Sequence, residues 1–154
     1  MDNHPKLLIT KMFIGEYQHS IDIKKRLAIP AKFRKGLDEK AVITKGIEKC
    51  LVIYPVNEWE DIAAKMGNLP LSQKEARSFG RMLLAGASEI DFDKLGRALI
   101  PSYLKEYAGL EKDVTVIGLH NRIEVWDTKT WNDYKNGMEP QMSDMVEKLK
   151  DLGI

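Results

Sequence analysis

The stretch Ser20-Ile21-Asp22-Ile23-Lys24-Lys25-Arg26-Leu27-Ala28-Ile29-Pro30 returns later in the chain as Glu89-Ile90-Asp91-Phe92-Asp93-Lys94-Leu95-Gly96-Arg97-Ala98-Leu99-Ile100-Pro101. Each copy reads aspartate, three residues, arginine, an apolar run and Ile-Pro. Within 154 residues such self-similarity limits the fold more than composition does, because a unit written twice is expected to be built twice. The match continues downstream. Gly46 pairs with Gly118, Leu51-Val52-Ile53-Tyr54 with Ile123-Glu124-Val125-Trp126, and Trp59 with Trp131, the offset drifting by one residue as a change in loop length would cause.

Local patterns predict the content of each unit. Phe13 to Ile29 reads as a strand, a tight connection at Ile23-Lys24-Lys25 and a second strand ended by Pro30, with a short helix over residues 30–37. Ala41-Val42-Ile43-Thr44 and Leu51-Val52-Ile53-Tyr54 flank a turn and form a hairpin pattern. Asn57 is placed to cap a helix carrying Trp59, Ile62 and Ala63 on one face, and Ser72-Gln73-Lys74-Glu75 offers a capping box for a helix with Phe79, Met82 and Leu83 that Gly86 ends. Met142, Met145, Val146, Leu149 and Leu152 suit a terminal amphipathic helix that docks on its own chain or on a neighbouring subunit. The fold class expected is therefore α+β. Its parts are a first β-rich unit over residues 12–66, a connecting helix over 67–86, a second homologous unit over 87–136 and a helical tail over 137–154.

Composition narrows the function. The chain is 44% hydrophobic, enough for a core, and no apolar run is long enough to span a membrane. In the segment Met1 to Lys11, the start Met1-Asp2-Asn3-His4-Pro5-Lys6 lacks the basic-then-apolar layout of a signal peptide, so a cytoplasmic location is expected. That segment reads either as a dispensable extension before Met12 or, through Leu7-Leu8-Ile9, as an added edge strand. The single cysteine, Cys50, sits in an apolar run and reads as a buried structural thiol, which excludes intrachain disulfides and cysteine-rich zinc sites. His4, His19 and His120 have no ligand spacing, so no metal site is expected. The formal net charge of +1 hides a local excess: from Asp22 to Gly36, Lys24, Lys25, Arg26, Lys32, Arg34 and Lys35 face one acid.

Met12-Phe13-x-Gly15, followed by Asp22-x-Lys24-x-Arg26-Leu27-x-Ile29-Pro30-x-x-Phe33-Arg34 and a second Asp93-x-x-Gly96-Arg97-x-x-Ile100-Pro101, resembles the MraZ family of bacterial transcriptional regulators. The resemblance runs from about Met12 to Trp131. It implies two copies of an AbrB-like swapped-hairpin or barrel unit in one chain, forming a pseudo-symmetric pair. It also implies subunits assembled as a ring-shaped homo-oligomer, and binding to double-stranded DNA at direct repeats in the promoter of the division and cell-wall gene cluster. Association with the nucleoid follows from that. Lys25 stands where the family usually has glycine, as Gly96 does in the second copy, so if the position needs a positive φ the lysine costs on the order of 1 kcal/mol.

An arginine four residues after an aspartate can hold the carboxylate by a charge-assisted hydrogen bond, which fixes a tight turn without any ligand. It can also present the guanidinium to guanine O6 and N7 in a major groove. The two roles are compatible, so Arg26 and Arg97 are the candidate base-reading residues, oriented by Asp22 and Asp93. Lys24, Lys25 and Lys94 are candidates for phosphate contact, as is Arg34 on the following helix.

Asp91 and Asp93 do not make a duplicated catalytic dyad, because Ser20 stands where Asp91 falls. No phosphate loop or nucleophile motif occurs, so neither enzyme activity, a cofactor nor a small-molecule substrate is expected. The tryptophans read as core residues. Two rivals to a sequence-specific DNA-binding regulator are an antitoxin-like DNA-binding regulator whose tail holds a partner protein, and an assembly protein that does not bind DNA.

Overall fold

A computed structural model of the chain describes residues 12–154. The reading of Leu7-Leu8-Ile9 as an edge strand, and of His4, lies outside the described residues.

The elements follow one another as β1 (Phe13–Ser20), β2 (Arg26–Ala28), α1 (Ala31–Leu37), β3 (Lys40–Lys45), β4 (Leu51–Pro55), α2 (Val56–Gly67) and α3 (Lys74–Ala85). The second series is β5 (Ser88–Asp91), β6 (Arg97–Leu99), α4 (Ser102–Tyr107), β7 (Asp113–His120), β8 (Ile123–Asp127) and α5 (Thr128–Met138), and α6 (Met142–Lys148) lies in the tail. The class is α+β, with the same order of strands and short helix built twice.

The two units are not side by side. Six strands form one antiparallel sheet in the order β1-β7-β8-β4-β3-β5, and β2 pairs with β6 in a separate two-stranded ribbon. Thus β1 of the first unit lies on the β7–β8 hairpin of the second, β5 of the second lies on the β3–β4 hairpin of the first, and the matched strands β2 and β6 pair with each other. The exchange of hairpin arms takes place inside one chain, and the strands among the described residues do not close into a barrel.

Alternation along the strands explains where the core sits. Ile43, Leu51, Ile53, Val114, Val116, Ile123 and Val125 point to one face, where they meet Leu27 and Ala98 of the ribbon, Phe33 and Leu37 of α1, and Leu104 of α4. This core draws on both repeats. The opposite face is covered by α2, α3 and α5, with Tyr54 against Trp59 and Trp126 against Trp131 and Tyr134. Trp126 is buried, in keeping with a core role, whereas Trp59 is only partly covered. Thr44 and Thr115 are buried, one in each unit, and each is satisfied: Thr44 Oγ1 donates to the Leu83 carbonyl at 2.7 Å, and Thr115 Oγ1 lies 3.0 Å from Thr128 Oγ1. Cys50 is fully buried, and desolvation pushes its thiol up to about 12.

Several local expectations are revised. Strand β2 makes only the bridge Ile21↔Leu27 back toward β1, because its ladder positions are taken by β6. Asn57 does not cap α2: β4 runs to Pro55, which ends the ladder and stands directly before the helix. Ser72 does not cap α3 either. A turn closed from Gln73 N–H to the Pro70 carbonyl delays the helix to Lys74. Phe79 and Met82 are exposed and only Leu83 of that trio is buried. The tail is broken rather than one helix, with 3-10 turns at Glu139–Gln141 and Lys150–Leu152 on either side of α6, and Met142, Val146, Leu149 and Leu152 lie exposed.

Candidate nucleic-acid interface

The two Asp-to-Arg connections fold identically. In the first, the Asp22 carboxylate accepts the backbone N–H of Lys24 and of Arg26 on Oδ1, both at 2.9 Å, and Arg26 Nε on Oδ2 at 2.8 Å. In the second, Asp93 Oδ1 accepts the N–H of Leu95 at 3.0 Å and of Arg97 at 2.8 Å, while Oδ2 accepts Arg97 Nε at 2.8 Å. One short acidic side chain therefore closes the turn and grips the arginine by its inner nitrogen. No hydrogen bond engages the outer Nη groups among the described residues, and about a third of each arginine side chain, 32% for Arg26 and 28% for Arg97, stays accessible. Asp22 is held below the usual carboxylate range, mainly by the Arg26 backbone N–H, and Asp93 likewise by that of Arg97; in each the arginine side chain adds to the effect and desolvation opposes it. A lowered folded-state value means this contribution is present at neutral pH and is lost only as the pH falls below the ordinary carboxylate range.

The turns are tied to each other. The residue before each arginine is left-handed, with φ of 64° at Lys25 and 75° at Gly96. Its carbonyl caps the opposite unit: Ile100 N–H donates to the Lys25 carbonyl at 2.8 Å and Ile29 N–H to the Gly96 carbonyl at 3.0 Å. Lysine at the first of these positions bears the backbone cost expected from its sequence, and its Nζ reaches Ser102 Oγ at the start of α4, 2.6 Å away. Both Lys25→Gly and Lys25→Ala remove that ammonium, yet the glycine variant is expected to be about 1 kcal/mol more stable than the alanine variant in urea denaturation. The reverse order would contradict a left-handed backbone at this position.

The ribbon sets the arginines on a common surface. Its register is Arg26↔Leu99, Leu27↔Ala98 and Ala28↔Arg97. Leu27 and Ala98 are wholly buried, so alternation puts Arg26, Ala28, Arg97 and Leu99 on the outer face. Arg26 and Arg97 are diagonal neighbours there, with backbones roughly 7–8 Å apart. The two arginines thus share one ribbon, with an arginine toward each end.

The other predicted residues distribute around this ribbon. Lys24 and Lys94 are exposed on the first and second turns. Arg34, on α1, lies across Gly96 of the other unit's turn, where a Cβ would run into its Cδ and Cζ, and its Nε is buried without a hydrogen-bond partner among the described residues. The absence of a side chain at Gly96 leaves room for that crossing, whereas at the first turn the Lys25 side chain runs to Ser102. No group of three or more His, Cys, Asp or Glu among the described residues is placed to hold a metal. Ser102, Leu99 and Ala28 were not singled out from sequence. Matching Ala28 with Leu99 in the repeat, and noting the buried residue before each, was the available signal.

Two arginines side by side on a two-stranded ribbon, each held in a fixed pose, with lysines at the ends, suit entry into a major groove, which is wide enough for such a ribbon. A family model described as "MraZ protein, putative antitoxin-like" matches the chain twice, over residues 12–82 and 83–151. The protein named transcriptional regulator MraZ from Acetivibrio thermocellus aligns along its whole length with 93% of this chain, at 50% identity over 143 residues. The protein of the same name from Clostridium beijerinckii gives the same identity and coverage, and that from Thermoanaerobacter sp. strain X514 is 48% identical over the same span.

Proposed function

The chain belongs to the MraZ family, and from that membership we propose that it is a sequence-specific DNA-binding transcriptional regulator. The observation that carries the reading is the outer face of the β2–β6 ribbon, where Asp22 and Asp93 orient Arg26 and Arg97 with their Nη groups unengaged among the described residues. Each guanidinium is preorganised to make the paired contact with guanine O6 and N7. Lys24, Lys25 and Lys94 supply phosphate neutralisation, which gives affinity without choosing sequence, and Arg34 adds a cation beside the second turn.

The finer parts of the proposal follow the family. Subunits assemble as a ring, so that neighbouring ribbons address direct repeats in the promoter of the division and cell-wall gene cluster, on the nucleoid. Linked ribbons turn weak single contacts into useful affinity. The exposed apolar residues Met142, Val146, Leu149 and Leu152 support a subunit contact through the tail.

The test is enrichment from a random duplex library, followed by sedimentation of the protein with and without the enriched DNA. A recovered motif present as spaced repeats, with protein and DNA sedimenting together at physiological salt, is the expected result. Binding that shows no sequence preference defeats the proposal. Lys24→Ala is expected to weaken all duplexes alike and to reduce the salt slope of log K by roughly one.

A further inference from the structure

The outer face of the ribbon carries a side chain that packing does not explain. Leu99 is 60% exposed, although it sits between the wholly buried Ala98 and Ile100. The matched position in the first unit is Ala28, so the ribbon itself does not need a large side chain there. Register puts Leu99 directly opposite Arg26, and alternation turns both outward. Ile23 and Leu95 are also exposed, but they occupy different positions of the two turns and neither lies opposite an arginine.

Resting on the DNA-binding reading above, we infer that Leu99 is a base-reading residue that contacts the C5-methyl group of a thymine beside the guanine addressed by Arg26. The major groove offers one apolar group, the thymine methyl, and an aliphatic side chain meeting it discriminates thymine from cytosine. The occupant is DNA rather than another apolar protein surface because the leucine has Arg26 opposite it and Arg97 two residues along its own strand, on a face whose flanking turns carry Lys24, Lys25 and Lys94. Arg26 draws in the polar edge of one base pair, and Leu99, about 5 Å across the ribbon, covers the methyl of its neighbour. Ala28, opposite Arg97, is too short to do the same at the second position. The two halves of the ribbon therefore read different steps, which gives one subunit a direction along a direct repeat.

The experiment uses the full chain and the duplex it enriches. Each thymine in turn is replaced by deoxyuridine, which removes only the methyl group, and each guanine by its 7-deaza analogue, which removes N7. The guanine belonging to Arg26 is the one whose replacement weakens the unaltered protein but not Arg26→Ala. Deoxyuridine at the thymine beside that guanine is expected to weaken binding about fourfold. Leu99→Ala is expected to bind the thymine duplex at the weakened level and to show no difference between thymine and deoxyuridine. Thermal unfolding and sedimentation of Leu99→Ala without DNA should match the unaltered protein. Equal binding of thymine and deoxyuridine duplexes by the unaltered protein overturns the inference, as does a deoxyuridine penalty that persists in Leu99→Ala. A changed assembly state in Leu99→Ala also overturns it and assigns the residue to a contact between subunits. Failure to enrich any sequence defeats the DNA-binding reading itself, and is thereby distinct from these outcomes.

Discussion

Arg26→Ala is expected to lose about 1–3 kcal/mol of binding to its enriched duplex, roughly a 5- to 150-fold rise in Kd, while non-specific duplex binding falls far less. Arg97→Ala should behave in the same way. Among the described residues each arginine is gripped only through Nε, so truncation removes the part that faces solvent and leaves Asp22 or Asp93 still accepting two backbone N–H groups. The turns should therefore persist, and an exposed ion pair of this kind contributes little to folding. Fluorescence anisotropy at one fixed salt concentration, with thermal unfolding as the control, checks both halves of the expectation. The double variant is informative about geometry. Residues whose backbones lie about 7–8 Å apart on one ribbon face the same stretch of groove, so their losses should not simply add. In an assembly engaging several repeats, either loss is multiplied across subunits. Undiminished binding by both single variants would remove the ribbon from the interface.

Gly118→Ala is expected to be the most damaging small change, lowering stability by about 3 kcal/mol, or roughly 6–12 °C in Tm. A Cβ at Gly118 would come within 2.5 Å of Ile14 N and the Phe13 carbonyl carbon, and those backbone atoms have no rotamer by which to move aside. The collision falls where β1 pairs with β7, the join by which the first unit's arm lies on the second unit's hairpin. Displacing β1 also disturbs Phe13 and Tyr17, whose rings meet Phe33 edge to face with centroids 5.7 Å and 5.1 Å away. Gly80→Ala provides the contrast, since it lies within α3 with its nearest neighbour atom 4.0 Å from the added carbon. Helix propensity predicts a gain of about 0.5–1 kcal/mol there. Guanidinium or urea unfolding of the two variants side by side measures the difference; a mild Gly118→Ala would show that β1 can shift without cost.

The two glycines differ in how far sequence could anticipate them. Gly118 pairs with Gly46 in the repeat, which flags both, but the reasons are unrelated. At Gly46 a Cβ would meet Cys50 Sγ within its own hairpin, whereas at Gly118 it would meet an arm from the other unit. The helix starts depart from the local pattern for a comparable reason. Asn57 and Ser72 are good caps in isolation, yet Pro55 at the end of the β3–β4 ladder and the turn at Pro70 decided where the helices begin.

What is local could be read from the residues alone. The repeat announced two similar β-rich units, and glycine in one copy signalled the left-handed backbone that Lys25 adopts in the other. The pairs Asp22–Arg26 and Asp93–Arg97 were legible because four residues and a tight turn bring both partners together without help from the rest of the fold. Cys50 in its apolar run was likewise readable as buried.

Which strands pair across the units is set by the assembled core. The joins β1 with β7, β3 with β5 and β2 with β6 link residues far apart in the chain, and the alternation of each strand is satisfied equally by any partner that covers its apolar side. That choice of partner, with the register Arg26↔Leu99, put two arginines and one leucine on a single outward face. Orientation within a turn is a matter of nearby bonds, but a shared surface depends on register, and register is settled by the packing of the whole core.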